Sequence, residues 1–278
     1  MKKSLVFTAV VLTTTFIFHG ILALLTRNDF ILFESTYGQT LLILGGSMPT
    51  VFAFVFLIKE PKKIRVRFYA SLFDYYHPKK YWIYTLGLPV LIVSLIGGVF
   101  AYVDSLTTIT LQQPYLYPLY LFSAILFGGL EEVGWRGYLQ RHLMPTVKLP
   151  VIALIIGVVW GLWHTMLFFV EGAAHQEYAF LPFFLGAIMF SAYITILYAK
   201  THSVFFAVLF HASINALAMT GLSIYFIHHW VIYLTLFILA LPAFIWLLYL
   251  DYESHIDDVT KFKKDSAYDA IIIDKKEK

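Results

Sequence analysis

The chain has 278 residues, of which 60% are hydrophobic and only 13% are charged, whereas about 25% is usual in soluble domains. This composition excludes a water-soluble fold, and the absence of cysteine excludes disulfides, thiol catalysis and Cys-ligated metals. The net charge of +3 comes from Lys and Arg residues confined to a few segments, so it indicates membrane topology and not a nucleic-acid partner.

Eight apolar stretches of about 20 residues, the length that crosses a bilayer, follow one another along the chain. They cover residues 4–25, 39–58, 82–103, 117–139, 151–171, 180–199, 203–221 and 230–250. The first resembles a signal peptide but is too long and lacks a small-residue cleavage site, so we interpret it as an uncleaved spanning helix. We therefore predict an all-α, multi-pass protein of the cell membrane with about eight transmembrane helices.

The basic residues predict the orientation of these helices. If the N-terminus is inside, every Lys and Arg except Arg27 lies on the inner side, which predicts that both termini are cytoplasmic. The basic segment 59–81 is amphipathic, and we interpret it as a surface segment with affinity for anionic lipid. Substrate docking is the alternative for this segment.

Ionisable side chains inside a membrane are costly and are therefore candidates for function. Glu131 and Glu132 lie in the fourth stretch, His164 in the fifth, and His211 with Asn215 in the seventh. At the rise of an α-helix, Glu131, His164, His211 and Asn215 lie roughly 12 to 20 Å from the predicted cytoplasmic end. Unrelated packing residues would have no reason to share a depth, so we predict that the three helices form one site.

The two adjacent carboxylates should have different roles, because neighbouring side chains point about 100° apart on a helix. Glu132 and Arg136 have the i, i+4 spacing that favours an ion pair. Glu131 is then the freer carboxylate, suited to act as a general base. Alternatively, the three side chains form a structural charge cluster, and the glycines at 128, 129, 134 and 137 allow close helix packing.

The other two motifs each place a pair of side chains on one helix face, four residues apart. The ring of Trp160 can form a wall beside His164. His211 and Asn215 can both donate hydrogen bonds, which suits stabilisation of an oxyanion. Taken alone, each pair is equally well explained by packing and hydrogen bonding between helices.

Three motifs follow one another between Tyr117 and Leu217, namely Glu-Glu-x-x-x-Arg, aromatic-x-x-x-His and His-x-x-x-Asn. In this order they resemble the CAAX protease and bacteriocin-processing (CPBP, or ABI) family of intramembrane proteases, which includes the Rce1 prenyl-protein endopeptidase. The resemblance implies an eight-helix fold with a cavity open to the cytosol. It also implies that Glu131 and His164 activate a water and that His211 and Asn215 stabilise the oxyanion.

The resemblance further implies that Glu132 and Arg136 support the site. Trp160 departs from the family, in which Phe is common at this position, but it keeps the aromatic wall. The chain is most similar to the bacterial members, some of which are linked to peptide maturation or bacteriocin self-immunity. We accordingly divide it into N-terminal helices with a basic loop (1–116), a catalytic core (117–221), a final helix (222–250) and a cytoplasmic tail (251–278).

We therefore predict an intramembrane endopeptidase whose partners are a peptide or membrane-protein substrate and membrane lipids, with no nucleic acid. Zinc is one candidate cofactor, with Glu131, His164 and His211 as ligands. The chain lacks the His-Glu-x-x-His signature, and a metal-free mechanism is equally compatible with these residues. The alternative functions are a proton-coupled transporter that uses the same residues as a relay and a non-catalytic immunity or scaffold protein.

Overall fold

The computed structural model describes residues 2–103, 114–220 and 228–276, with side chains described up to residue 253. This part of the chain contains helices and turns and no β-strand. The α-helices are α1 (Lys2–Arg27), α2 (Thr36–Leu57), α3 (Lys62–Leu72), α4 (Lys79–Val103), α5 (Tyr117–Ala124), α6 (Arg141–Leu143), α7 (Leu149–Trp163), α8 (Phe180–Thr201), α9 (Val204–Met219) and α10 (Trp230–Lys276). The protein is therefore all-α, as predicted.

Within the described residues, six helices are long and apolar enough to cross a membrane. They are Lys2–Arg27, Thr36–Leu57, Lys79–Tyr102, Leu149–Phe169, Phe180–Thr201 and Trp230–Glu253. A seventh is added if the bent pair Pro114–Gly129 and Val133–Leu143 is one span. The multi-pass prediction is confirmed. The predicted number of eight is not, because α9, which corresponds to the predicted seventh span, has only 16 residues.

The long helices differ in how much of their surface packs against protein. In α8, 67% of the apolar window is buried, whereas the value for the spanning part of α10 is 22%. Helix α8 packs closely against α7 and also contacts α9 and α10. The side chains of α8 therefore form the centre of the bundle, and α10 leaves most of its apolar surface for lipid.

Contacts between distant segments bring the predicted inner connections to the same end of the bundle. Glu60, just after α2, accepts a hydrogen bond from Lys3 Nζ at 2.6 Å and lies 3.3 Å from His142 Nε2. Burial alone would raise the pKa of Glu60, but these two partners hold it below its usual value. The basic segments thus share one end, and the side of the membrane that this end faces stays a prediction.

The predicted fourth span, residues 117–139, is wrong as a single continuous helix. The chain turns by 47° between Pro114–Gly129 and Val133–Leu143, and the segments on either side of the turn are π-helical. Phe127 and Gly128 have non-helical backbone angles. Two consecutive glycines weaken an α-helix, and at Gly129 an added Cβ would lie 2.8 Å from the Val208 carbonyl of α9. Close packing of α9 therefore accompanies the bend.

Candidate active site

The bend after Gly129 presents Glu131 and Glu132 to the interior of the bundle. Thr50 of α2 donates a hydrogen bond to the Leu130 carbonyl, which fixes the bend to a neighbouring helix. On the other side of the two carboxylates, an added Cβ at Gly134 would lie 2.5 Å from the Pro49 carbonyl. Close packing of α2 against the bend, which needs glycine at 134, thus helps to hold both acids in place.

Glu131 is buried and accepts a hydrogen bond of 2.9 Å from the indole Nε1 of Trp160. Among the described residues it has no Lys, Arg or His nitrogen within ion-pair distance. It is therefore the carboxylate that is not committed to a basic partner. Trp160 was expected only to form a wall, and it also orients this acid.

Glu132 has two basic partners, and both are buried with it. Its Oε2 lies 3.0 Å from Nη1 of Arg136, so the predicted ion pair is present. Its Oε1 lies 2.9 Å from Nδ1 of His211, which the sequence did not predict. Arg136 in turn donates through Nη2 to the hydroxyl and carbonyl of Ser191 on α8, at 3.2 and 3.3 Å. Glu132 thus ties the bend to α9, and Arg136 ties it to α8.

His164 directly follows the last residue of α7, and its orientation is set by a backbone carbonyl. Its Nδ1 lies 2.8 Å from the Trp160 carbonyl, which can only accept, so the proton of a neutral ring is on Nδ1. Nε2 then carries a lone pair that can accept a proton or bind a metal. The ring is almost parallel to that of His175, with centroids 5.4 Å apart and an interplanar angle of 26°.

His211 and Asn215 lie one turn apart on α9 and both approach the active-site bend. The ring of His211 packs edge-on against Trp160, with centroids 4.9 Å apart. The Nδ2 of Asn215 lies where a Cβ on Gly128 would be, so only glycine leaves room for this amide. The bend thereby brings residue 128 against the carboxamide that was proposed as an oxyanion donor.

Three of the predicted catalytic side chains meet at Trp160. Its indole N–H contacts Glu131, its carbonyl contacts His164 and its ring contacts His211. Asn215 joins the group through Gly128. An aromatic residue at this position therefore connects the acid on the bend, the histidine that ends α7 and the histidine of α9.

The same region of the chain matches a known family. Residues 113–217 match the family model described as type II CAAX prenyl endopeptidase Rce1-like. We call residues 113–217, which are similar to this family, the Rce1-like domain. It contains all seven predicted site residues, which are Glu131, Glu132, Arg136, Trp160, His164, His211 and Asn215.

A curated relative supports the assignment of the Rce1-like domain. The protein named CAAX prenyl protease 2 of Methanococcus maripaludis is 33% identical over 102 residues. The alignment covers 34% of this chain and 38% of the relative. The chain thus matches well under half of the relative's length.

The side chains of the Rce1-like domain do not form a ready-made metal site. Within the described residues, no group of three His, Asp or Glu side chains is placed to hold a metal ion. The predicted ligand set of Glu131, His164 and His211 therefore does not converge on one point as a catalytic zinc site requires. Glu131 and His211 are instead engaged with Trp160 and Glu132.

Sequence reasoning missed several residues that hold the site of the Rce1-like domain. Thr50 contacts the bend, and Ser191 contacts Arg136. His175 contacts His164. Thr50 and Ser191 are single polar residues in apolar helices and give no pattern of their own. His175 lies in the short helical segment Ala174–Glu177, outside the spanning helices, where helix periodicity cannot relate it to His164.

Proposed function

We propose that this chain is an intramembrane endopeptidase that hydrolyses a peptide bond with a water activated by Glu131 and His164. One observation carries the proposal: Trp160 contacts a buried carboxylate that has no basic partner among the described residues, and it also contacts two histidines inside a bundle of apolar helices. Such a cluster is costly in a membrane unless it serves a function. The Rce1-like domain match supports peptide hydrolysis as that function.

In the proposed reaction, the Glu131 carboxylate removes a proton from water, and the oxygen attacks the carbonyl carbon of the scissile bond. His164 accepts a hydrogen bond from the same water through its unprotonated Nε2, which orients the attack. The tetrahedral intermediate then collapses, and the C–N bond breaks. The proton held by Glu131 passes to the leaving amine, so the carboxylate is regenerated for the next cycle.

His211 and Asn215 would stabilise the oxyanion of the intermediate. Because Nδ1 of His211 is engaged by Glu132, an imidazolium at this position can donate only through Nε2. The Nδ2 group of Asn215 is the second donor. Glu132 and Arg136 then act as positioning residues, since they hold His211 on α9 and connect the bend to α8.

We assign Trp160 a positioning role toward Glu131. A carboxylate on a flexible side chain has several rotamers, and the indole N–H favours the one that accepts its hydrogen bond. A phenylalanine would keep the contact with His211 but could not donate to Glu131. Trp160 therefore combines the wall that a phenylalanine also provides with a contact that orients the general base.

No step of the proposed mechanism uses zinc, because no three His, Asp or Glu side chains among the described residues are grouped to hold a metal ion. Metal analysis of the purified protein tests this choice. Zinc bound at one equivalent per chain in the wild type and lost in His164→Ala would replace the metal-free mechanism with a metal-assisted one. Full activity of metal-depleted protein would support the proposal.

The substrate is a peptide or membrane protein whose scissile bond reaches the site from within the membrane. The relative's name refers to prenylated CAAX proteins, so a farnesylated CAAX peptide is the first probe. An unprenylated membrane peptide, as in peptide maturation or bacteriocin self-immunity, is the second. Comparison of the membrane peptidomes of cells that express wild-type protein or Glu131→Gln identifies the natural substrate class.

The decisive experiment measures cleavage by wild type, Glu131→Gln and His164→Ala in proteoliposomes. We expect both variants to insert and fold and to lose activity by about 10²- to 10⁴-fold, the usual contribution of an acid–base group. Cleavage at the wild-type rate by either variant would overturn the proposal. Substrate flux driven by a pH gradient without cleavage would indicate the transporter, and protection that persists in Glu131→Gln would indicate a non-catalytic immunity protein.

A further inference from the structure

A half-open cavity lies at the basic end of the bundle, and none of the proposed catalytic residues lines it. It has a volume of about 470 Å³ and is enclosed by α3, the connection after it, the region of α6 and the end of α8. Its polar lining residues are Arg67, Ser71, Asp74, Arg141, Tyr198 and His202. The proposed protease mechanism gives this cavity no role.

Arg141 is held rigidly in the wall of this cavity by neutral oxygen atoms. Its Nε donates to the Tyr198 hydroxyl at 3.0 Å, and its Nη2 donates to Ser71 Oγ at 3.2 Å. Within the described part of the chain, no carboxylate lies within 4.0 Å of the guanidinium. A half-buried guanidinium that is oriented in this way but lacks a counter-ion is suited to bind an anion.

The lining has one further cationic and one anionic side chain. Arg67 adds a second guanidinium, for which the described residues likewise provide no carboxylate partner within 4.0 Å. Asp74 contributes a carboxylate, which is hydrogen-bonded to His77 Nε2 at 3.0 Å. Partial burial and the neighbouring charge of Arg141 lower the pKa of His202, as expected beside a cationic group.

Helix α3, which carries Arg67, has the character of a helix that lies on a membrane surface. It connects two spanning helices, begins with basic residues and exposes Val66 and Tyr69. Three apolar side chains, Ile64, Ala70 and Met144, also line the cavity. A phosphate bound between the guanidiniums would therefore have apolar surface close by for the acyl chains attached to it.

We propose that this cavity binds the phosphate of an anionic phospholipid headgroup. Arg141 and Arg67 hold the phosphate oxygens, the Tyr198 hydroxyl is free to donate because it accepts from Arg141, and the acyl chains pass Ile64 and Met144. The lipid would join α3 to α8 at a point independent of Glu131. This site does not depend on the protein being a protease.

Native mass spectrometry of the full chain in detergent tests this lipid site, with phosphatidylglycerol, phosphatidylcholine and inorganic phosphate as separate probes. The variants are Arg141→Gln, Arg67→Gln and the control Arg65→Gln, an exposed arginine on the same helix that does not line the cavity. A charged hydrogen bond contributes enough to change binding by about tenfold. We expect phosphatidylglycerol binding to weaken by about tenfold in both cavity variants and to be unchanged in Arg65→Gln.

Three results would overturn the proposal. Equal binding of phosphatidylglycerol by wild type and Arg67→Gln would do so, because Arg67 is one of the two guanidiniums proposed to hold the phosphate. Equal retention of phosphatidylcholine would show that the headgroup charge is not recognised. Competition by inorganic phosphate at the same concentration as the lipid would show that the site takes a free anion and gains nothing from the acyl chains.

Discussion

The indole Nε1 of Trp160 donates a hydrogen bond of 2.9 Å to Oε2 of Glu131 across two helical segments. The backbone carbonyl of the same residue accepts from His164 Nδ1 at 2.8 Å. One residue therefore sets the position of both groups that we propose to activate water.

The substitution Trp160→Phe tests the hydrogen bond to Glu131 and keeps an aromatic ring beside His211. A hydrogen bond to a carboxylate contributes about 1.5–3 kcal/mol, so we expect kcat to fall by about tenfold or more while KM changes little. The measurement is steady-state cleavage of the peptide that the wild type cleaves.

Trp163→Phe is the matched control for this substitution. Trp163 lies one helical turn away and donates its Nε1 hydrogen to Thr15 Oγ1 at 2.8 Å. Trp163→Phe therefore removes an equivalent hydrogen bond that does not involve Glu131. We expect it to lower thermal stability slightly and to leave kcat within about twofold of wild type. An equal loss of kcat in both variants would show that Trp160 acts only through the fold.

Substitution of the two adjacent acids should have different consequences for stability. Glu132→Gln leaves the fully buried Arg136 without its carboxylate, and loss of one partner of a buried ion pair costs about 3–5 kcal/mol. Glu131→Gln removes a carboxylate that has no basic partner among the described residues, so we expect near wild-type stability without activity. Thermal unfolding in detergent measures the difference, and equal melting temperatures for the two variants would contradict it.

Much of this arrangement follows from local sequence patterns. Apolar length identified the helices, and i, i+4 spacing identified the Glu132–Arg136 pair and placed Trp160 on the face of His164. These inferences concern side chains only four residues apart, which lie close together in any helical turn. The common depth of polar side chains on three helices also indicated that these helices meet in one site.

The features of the site that the sequence did not predict depend on contacts between residues far apart in the chain. Glu132 and His211 are 79 residues apart, and Arg136 and Ser191 are 55 apart. Their common depth indicates that such groups lie in one layer of the membrane, but it does not show which atoms form hydrogen bonds. The bend at Gly128 was also missed, because an apolar sequence with two glycines fits a continuous packed helix as well as a broken one.

Gly128→Ala tests the close approach of the active-site bend to α9. An added Cβ would overlap Asn215 Nδ2, so the amide must move, and loss of one oxyanion donor lowers kcat by about 10²- to 10³-fold. The control is Gly98→Ala on α4, where nothing lies within 4 Å of the added Cβ. We expect the control to keep full activity. Retention of activity by Gly128→Ala would show that Asn215 is not held in its working position by this contact.

The stability of the protein should depend on pH through His175. This residue lies in the segment Ala174–Glu177, outside the spanning helices, and its ring packs against His164. Burial, with a smaller contribution from His19, lowers the pKa of His175 to about 4, whereas an unfolded histidine titrates near 6.5. The unfolded chain therefore binds a proton before the folded chain does. The contribution of His175 to stability is therefore complete above about pH 6.5 and is lost as the pH falls from there to about 4. At pH 5 the loss is roughly 1–2 kcal/mol.

His175→Phe removes the titrating group and keeps an aromatic ring against Phe168 and Phe183. We expect the variant to match wild type at pH 7 and to lose less stability between pH 7 and pH 5. Unfolding in the same detergent at both pH values measures this difference. If wild type and variant lose the same free energy over this interval, His175 does not contribute to the loss.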